Sequence, residues 1–208
     1  MEETSIQRGD TPSGWPILDE AYLALRTAVR GVADGDWELP TPCEAWNVTQ
    51  VVQHASGDQV GYAGFITGGR MPTEDPFAPS GKVAGSPVDL AEEAMTYGTS
   101  AWVTVEADAE AVPVPIPVPG GTLPARAAVA VCALDAAVHA WDIAAATGQP
   151  STLRPETARA LLAATRDVIE PFRGFAFATP VPPGEGDDDA AVLLRHLGRD
   201  PGWRPPAR

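Results

Sequence analysis

Four stretches of this chain carry apolar residues at helical spacing, and each is fenced by Pro or Gly, so the pattern predicts a bundle of helices. The first runs from Trp15 through Leu18, Ala21, Tyr22, Leu25, Ala28, Val29 and Val32 and stops near Gly35. The second opens at Asn47, a capping residue with Gln50 three positions on, as a capping box requires, and ends at Gly68-Gly69. Gly57, Gly61 and Gly64 lie inside it. Their cost in helix propensity predicts that a packed helix or a substrate comes close there. The third begins at Ser86-Pro87, a cap followed by Pro at the first helical position, and runs through Leu90, Ala94, Tyr97, Ala101 and Trp102 to Val105. The fourth spans about Pro124 to Thr147 and ends at Gly148.

A fifth helix is expected from about Pro155 to Glu170, and a short amphipathic one at AAVLLRHLG, after the acidic loop GEGDDD. The connector WELPTPCEAW is stiffened by Pro40 and Pro42, and residues 70–85 read as a loop. In VPVPIPVPGG, Pro113, Pro115, Pro117 and Pro119 remove every donor along one edge. That leaves a short edge strand, a hairpin or a polyproline II segment turning at Gly120-Gly121. The longest connections follow the second and third helices. The expected architecture is therefore all-α, a four-helix bundle with crossover connections and an additional C-terminal helix. Residues 1–14 read as a flexible leader, and residues 15–208 as one helical domain with a C-terminal tail.

The net charge of −14 argues against a nucleic-acid groove or an anionic membrane surface, both of which need clustered Lys and Arg. Cys43 and Cys132 are too few for a disulfide framework. The polar, acidic N-terminus lacks the features of a signal peptide, and no run approaches the roughly 18 apolar residues of a membrane span. A cytoplasmic protein is expected, monomer or homodimer, with a small-molecule substrate.

The chemistry rests on histidine placement. Of three histidines, His54 lies on the second helical stretch, while Asp135 and His139 lie on the fourth at i, i+4 spacing, which puts both on one helix face. Brought together, the three would hold a divalent metal and leave a coordination position open. The bland alternative is that these are packed or surface residues, because D-x-x-x-H spacing is common. Gln50 and Asp58 share a face with His54 and could position substrate or metal-bound water, or simply be solvated. Cys132 reads as a small core residue or an extra ligand. Trp46 and Trp141 wall the pocket or lock the helices, Asp142 serves structure, and His196 is peripheral. Cys43 would need a basic neighbour to act as a nucleophile, and its sequence surroundings supply none.

TPCEAWNVTQVVQH, LDAAVHAWDIAAATGQP and LLRHLGRDP together resemble the DinB-like metal-binding families, in particular the group related to the N-terminal domain of mycothiol-dependent maleylpyruvate isomerase. The resemblance runs from about Trp15 to Pro201. In that group a TPC-x-x-W segment leads into a helix carrying the first His, and a second helix carries acid-x-x-x-His followed by a Trp-Asp pair. It implies a DinB-type bundle with zinc, or alternatively nickel, held by residues matching His54, Asp135 and His139. It also implies use or transfer of a low-molecular-weight thiol, mycothiol-like, to a small electrophile by a transferase or isomerase. The isomerase's separate C-terminal domain is expected to be missing. The group usually has Glu where this chain has Asp135. The shorter acid could reach the metal by closer helix approach, act through a bridging water, or orient His139 from behind. A metal-dependent hydrolase or lyase, and a non-enzymatic bundle with a degraded site, are the alternatives.

Overall fold

The helices end on the residues that break them. The structure, a computed structural model, describes residues 12–43 and 46–206. Helix α1, Pro16–Arg30, starts with Pro at its first position. Its entry is fixed by Ser13, whose hydroxyl accepts from the Trp15 amide (3.1 Å) and whose own amide donates to Asp19 Oδ1 (2.8 Å). Ser13, within the expected leader, is fully buried; residues 1–11 lie outside the described residues. α1 stops before Gly35 because the chain already turns at Gly31, whose amide donates to Thr27 O.

Helix α2, Val48–Thr67, has both halves of its capping box: the Gln50 amide donates to Asn47 Oδ1 (2.9 Å) and the Asn47 amide to Gln50 Oε1 (3.0 Å). It closes at Gly68 with φ 66, a left-handed position that favours glycine. Helix α3, Pro87–Trp102, is capped by the Ser86 hydroxyl and ends before the expected Val105. The Pro-rich segment forms a small antiparallel hairpin, β1 (Val112–Pro113) against β2 (Thr122–Leu123), turning through Gly120 and Gly121 at φ 77 and 67. Helices α4 (Ala125–Thr147), α5 (Pro155–Ile169) and α6 (Asp189–His196) follow, the last capped by Asp188.

The four long helices pack in the cyclic order α1, α4, α2, α3, with α5 laid on α4 and α6 on α5. α1 and α2 therefore sit at opposite corners, as do α3 and α4, while α2 and α3 are neighbours, so the two diagonal links are crossovers. α4 is buried on nearly every side, and its many alanines let neighbouring helices come close. α4 has no unbroken run of 18 apolar residues, being interrupted by Arg126, Asp135, His139 and Asp142, but by length and composition alone it could cross a membrane. However, 89% of its apolar window is buried inside the protein, as befits a core helix.

Close approach at α2 comes from a loop rather than a helix or substrate. A Cβ on Gly64 would lie 2.5 Å from Met71 Sδ and 2.6 Å from Arg70 O, and one on Gly57 would lie 3.0 Å from Pro76 Cγ. The chain after α2 thus folds back along it. A second contact of this kind is at Gly98 on α3, where a Cβ would stand 2.1 Å from Tyr22 Oη. That hydroxyl donates to Gln59 Oε1 (2.9 Å) beneath the site described next. Gly98→Ala must push the ring aside, and overpacking of this type costs about 1–3 kcal/mol. Urea unfolding checks it through a lowered midpoint at unchanged m-value.

Candidate metal centre

The α2–α4 contact brings His54, Asp135 and His139 to one point. Asp135 Oδ1 stands 3.3 Å from His54 Nε2 and 3.3 Å from His139 Nε2, and the three ligand atoms all lie within 4.8 Å of one another. The two rings meet edge to face at 4.7 Å. Such a group could hold a metal ion. Four tetrahedral ligands at zinc distances of about 2.0–2.1 Å sit roughly 3.3–3.4 Å apart, which is the spacing the carboxylate oxygen keeps from each imidazole.

Both imidazoles are held from behind. His54 Nδ1 lies 2.8 Å from Pro76 O, and a carbonyl can only accept, so that nitrogen carries the proton. His139 Nδ1 lies 2.9 Å from Asp142 Oδ2. Asp142 is fully buried and also accepts from Arg199 Nε (2.9 Å) and Nη2 (2.8 Å). Burial alone would raise its pKa; the Arg199 charge outweighs that and holds it at about 2, so it is ionised and accepts from His139. Each Nε2 is thereby the nitrogen turned toward Asp135, and the one that would give up its proton to a metal ion. Such a fixed orientation is what a ligating histidine needs.

Asp135 is anchored on its other oxygen, where Gln59 Nε2 donates to Oδ2 (3.2 Å). Gln59 Oε1 in turn accepts from Tyr22 and from Cys132 Sγ (2.9 Å). The role of orienting His139 from behind falls to Asp142, leaving Asp135 on the ligand side. The protonation tendencies follow the charges. Burial opposes ionisation of Asp135, but His139 and His54 hold its pKa well below the usual carboxylate range. Burial also works against a charged His139, yet Asp135 and then Asp142 bring its pKa up to about 9. Asp58 goes the other way: burial, reinforced by the Asp135 charge, pushes its carboxyl up.

A cavity of about 540 Å³ opens over this group. Asp58 lines it, with Oδ2 3.9 Å from His54 Nε2. Trp46 stacks on His54 at 4.6 Å and forms one wall. Phe77 packs on the other side of His54 at 5.8 Å. Past α5, a tight turn through Phe172, Phe175 and Phe177 supplies much of the rim.

Several sequence readings change here. Gln50, expected to position substrate or metal-bound water, does not line the cavity. Its oxygen closes the capping box and its amide nitrogen donates to Pro79 O (3.0 Å), so both polar atoms are committed to structure. Cys132 is a fully buried core residue bonded to Gln59, and it forms no disulfide with Cys43. Trp141 packs in the core while Trp46 walls the pocket. His196 sits away from the cavity beside Glu170 (3.4 Å) and Arg173. Cys43 lines the cavity, and its basic neighbour, invisible in sequence, is Arg199. Gln59, Arg199 and the Phe172–Phe177 turn went unnoticed as site elements. The only trace of Arg199 was the LLRHLGRDP motif.

Comparison with known proteins places this geometry. A family model described as the mycothiol maleylpyruvate isomerase N-terminal domain matches residues 18–144. Two uncharacterized proteins, from two strains of Mycobacterium tuberculosis, are each 33% identical over 187 residues, covering 86% of this chain and 92% of theirs. The crystal structure of a histidine-to-alanine mutant of the mycothiol-dependent maleylpyruvate isomerase aligns with a TM-score of 0.57 at 14% identity, over 94% of this chain and 99% of that one. At that identity it shows a shared fold.

Proposed function

The chain belongs to the mycothiol maleylpyruvate isomerase N-terminal domain family, and from that premise we propose that it is a metal-dependent enzyme joining a low-molecular-weight thiol to a small electrophile. The observation that carries this reading is the His54–Asp135–His139 group: a carboxylate oxygen at tetrahedral spacing from each imidazole, both rings held from behind, on the floor of a cavity large enough for two small reactants. Zinc fits the mixed imidazole and carboxylate donors, and nickel is the second choice. When bound, such an ion lowers the pKa of a thiol beside it, so that a thiolate forms at neutral pH.

The chain's own residues supply the rest. The thiol gives up its proton to Asp58, the lining carboxylate outside the ligand set. Its sulfur lone pair then forms a bond to the β-carbon of a conjugated electrophile, whose π pair moves toward the carbonyl. The proton returns from Asp58 to the adjacent carbon. Run in reverse after rotation about the new single bond, the same steps release the thiol and an isomerised double bond. Transfer and isomerisation thus share one chemistry. Trp46 and the phenylalanine rim keep bulk water from the reacting carbon. A cytoplasmic setting suits this activity, because low-molecular-weight thiols stay reduced there.

Metal analysis and a thiol-consumption assay test the proposal together. The purified chain should carry stoichiometric zinc or nickel and consume mycothiol in the presence of a conjugated ketone. His54→Ala should lose both while keeping its far-UV circular dichroism. Activity that survives in His54→Ala, or that proceeds at full rate without any thiol, refutes thiol transfer at this centre.

A further inference from the structure

Four of the chain's five phenylalanines, Phe77, Phe172, Phe175 and Phe177, line the cavity over the ligand group. Two of them are unusually exposed for their type: Phe77 is 48% and Phe175 70% accessible. They belong to segments far apart in sequence, yet their rings meet at 5.6 Å, tilted by 39°, at the cavity rim. Exposed rings of this kind cost solvation unless something apolar covers them. Phe77 also packs on His54, so the aromatic surface runs from the rim down to a ligand imidazole.

Charge on the walls points the same way. Arg199 is the one Lys or Arg lining the cavity among the described residues, and two of its nitrogens are already on buried Asp142. The whole chain carries a net charge of −14, which disfavours anions further. The walls offer a dicarboxylate no cation for its second charge.

We infer that the electrophile this site takes is a neutral compound with a flat apolar or aromatic body, packed against the joined Phe77–Phe175 surface, and not a dicarboxylate. This rests on the reading that electrophile and thiol meet in this cavity. The aromatic pair selects the body, leaving the electrophilic end to reach the floor beside Asp58. Phe77 and Phe175 are thus the specificity-determining residues.

Equilibrium binding with unreactive ketones tests the preference apart from catalysis. The zinc-loaded full chain is titrated by calorimetry with benzylacetone, which carries a phenyl ring, and with levulinate, a similar ketone carrying a carboxylate in its place. Benzylacetone should bind at least about tenfold more tightly, the scale of ring contacts worth roughly 1.4 kcal/mol. Phe77→Ala and Phe175→Ala should each weaken benzylacetone severalfold, and Phe175→Ala, which is not packed on a ligand imidazole, should do so with levulinate binding, zinc content and thermal midpoint as in the parent. Both side chains are exposed enough that truncation does not threaten the fold. Levulinate binding as tightly as benzylacetone, or Phe variants that bind benzylacetone like the parent, overturns the inference. A parallel assay of mycothiol addition to benzylideneacetone separates the two readings. If binding shows the aromatic preference but no adduct forms, thiol transfer fails and the specificity assignment stands.

Discussion

Asp135→Asn yields a folded helical protein that no longer holds zinc at stoichiometry. The substitution keeps size and hydrogen-bonding capacity, so Gln59 retains a partner, but it removes the only anionic donor among the three ligand atoms. Zinc sites with four protein ligands bind with about 10–16 kcal/mol, so one donor accounts for roughly 3 kcal/mol, on the order of a hundredfold in affinity. The expected signature has two parts. Zinc competition against a chromogenic chelator gives a dissociation constant weaker by at least that factor. The rise in thermal midpoint that zinc should give the parent, if only the folded chain binds it, should shrink with it. An unchanged zinc affinity would mean that the carboxylate is not a ligand. Asp135→Glu is the informative companion. If the shorter acid reaches the ion because α2 and α4 approach closely, the extra methylene must displace either the Gln59 contact or an imidazole. The glutamate variant should then bind zinc less tightly than the parent.

How far the sequence carried these conclusions depends on what kind of contact each one needs. The starts of α2 and α3 were legible because a cap is a local device: Asn47 with Gln50, and Ser86 with Pro87, act within one turn. The pairing of Asp135 with His139 was legible for the same reason, since i, i+4 spacing fixes a shared face. Gln50 shows the limit of face counting. Residues that share a face with His54 were read as substrate-facing, yet the capping box already required the Gln50 side chain, and one amide cannot serve both. α4 is apolar and long enough to cross a membrane by composition alone, and only its burial among the other helices, a long-range fact, marks it as a core helix. The aromatic rim stayed hidden because nothing local marks Phe77 and Phe175 as neighbours; they meet only once the loop after α2 and the turn after α5 have folded over the bundle. Arg199 was hidden in the same way, being 57 residues from the carboxylate it neutralises.

That separation makes Arg199→Ala the most damaging single change expected outside the ligand set. Asp142 is fully buried and ionised, and removing its guanidinium leaves a negative charge with only His139 and no solvent. Breaking a buried ion pair from one side costs about 3–5 kcal/mol, whereas removing both charges is far milder. Arg199→Ala should therefore lower the urea midpoint sharply, and Arg199→Ala combined with Asp142→Asn should recover most of the loss. The coupling energy of that cycle, not either single value, reports the pair. The acid limb of stability supplies an independent sign. Asp142 has a folded pKa depressed to about 2, below its unfolded value near 3.9, so its contribution is present above pH ~4 and is lost as pH falls toward 2. Without Arg199 that pKa rises, and the folded protein should lose stability at a higher pH than the parent does. Zinc binding should weaken too, by roughly 10–100-fold, because Asp142 loses the guanidinium that holds it ionised and in place behind His139. If stability falls but zinc affinity does not, Asp142 supports the helix and not the metal centre. If neither moves, the buried pair is not the link between the C-terminal segment and the site.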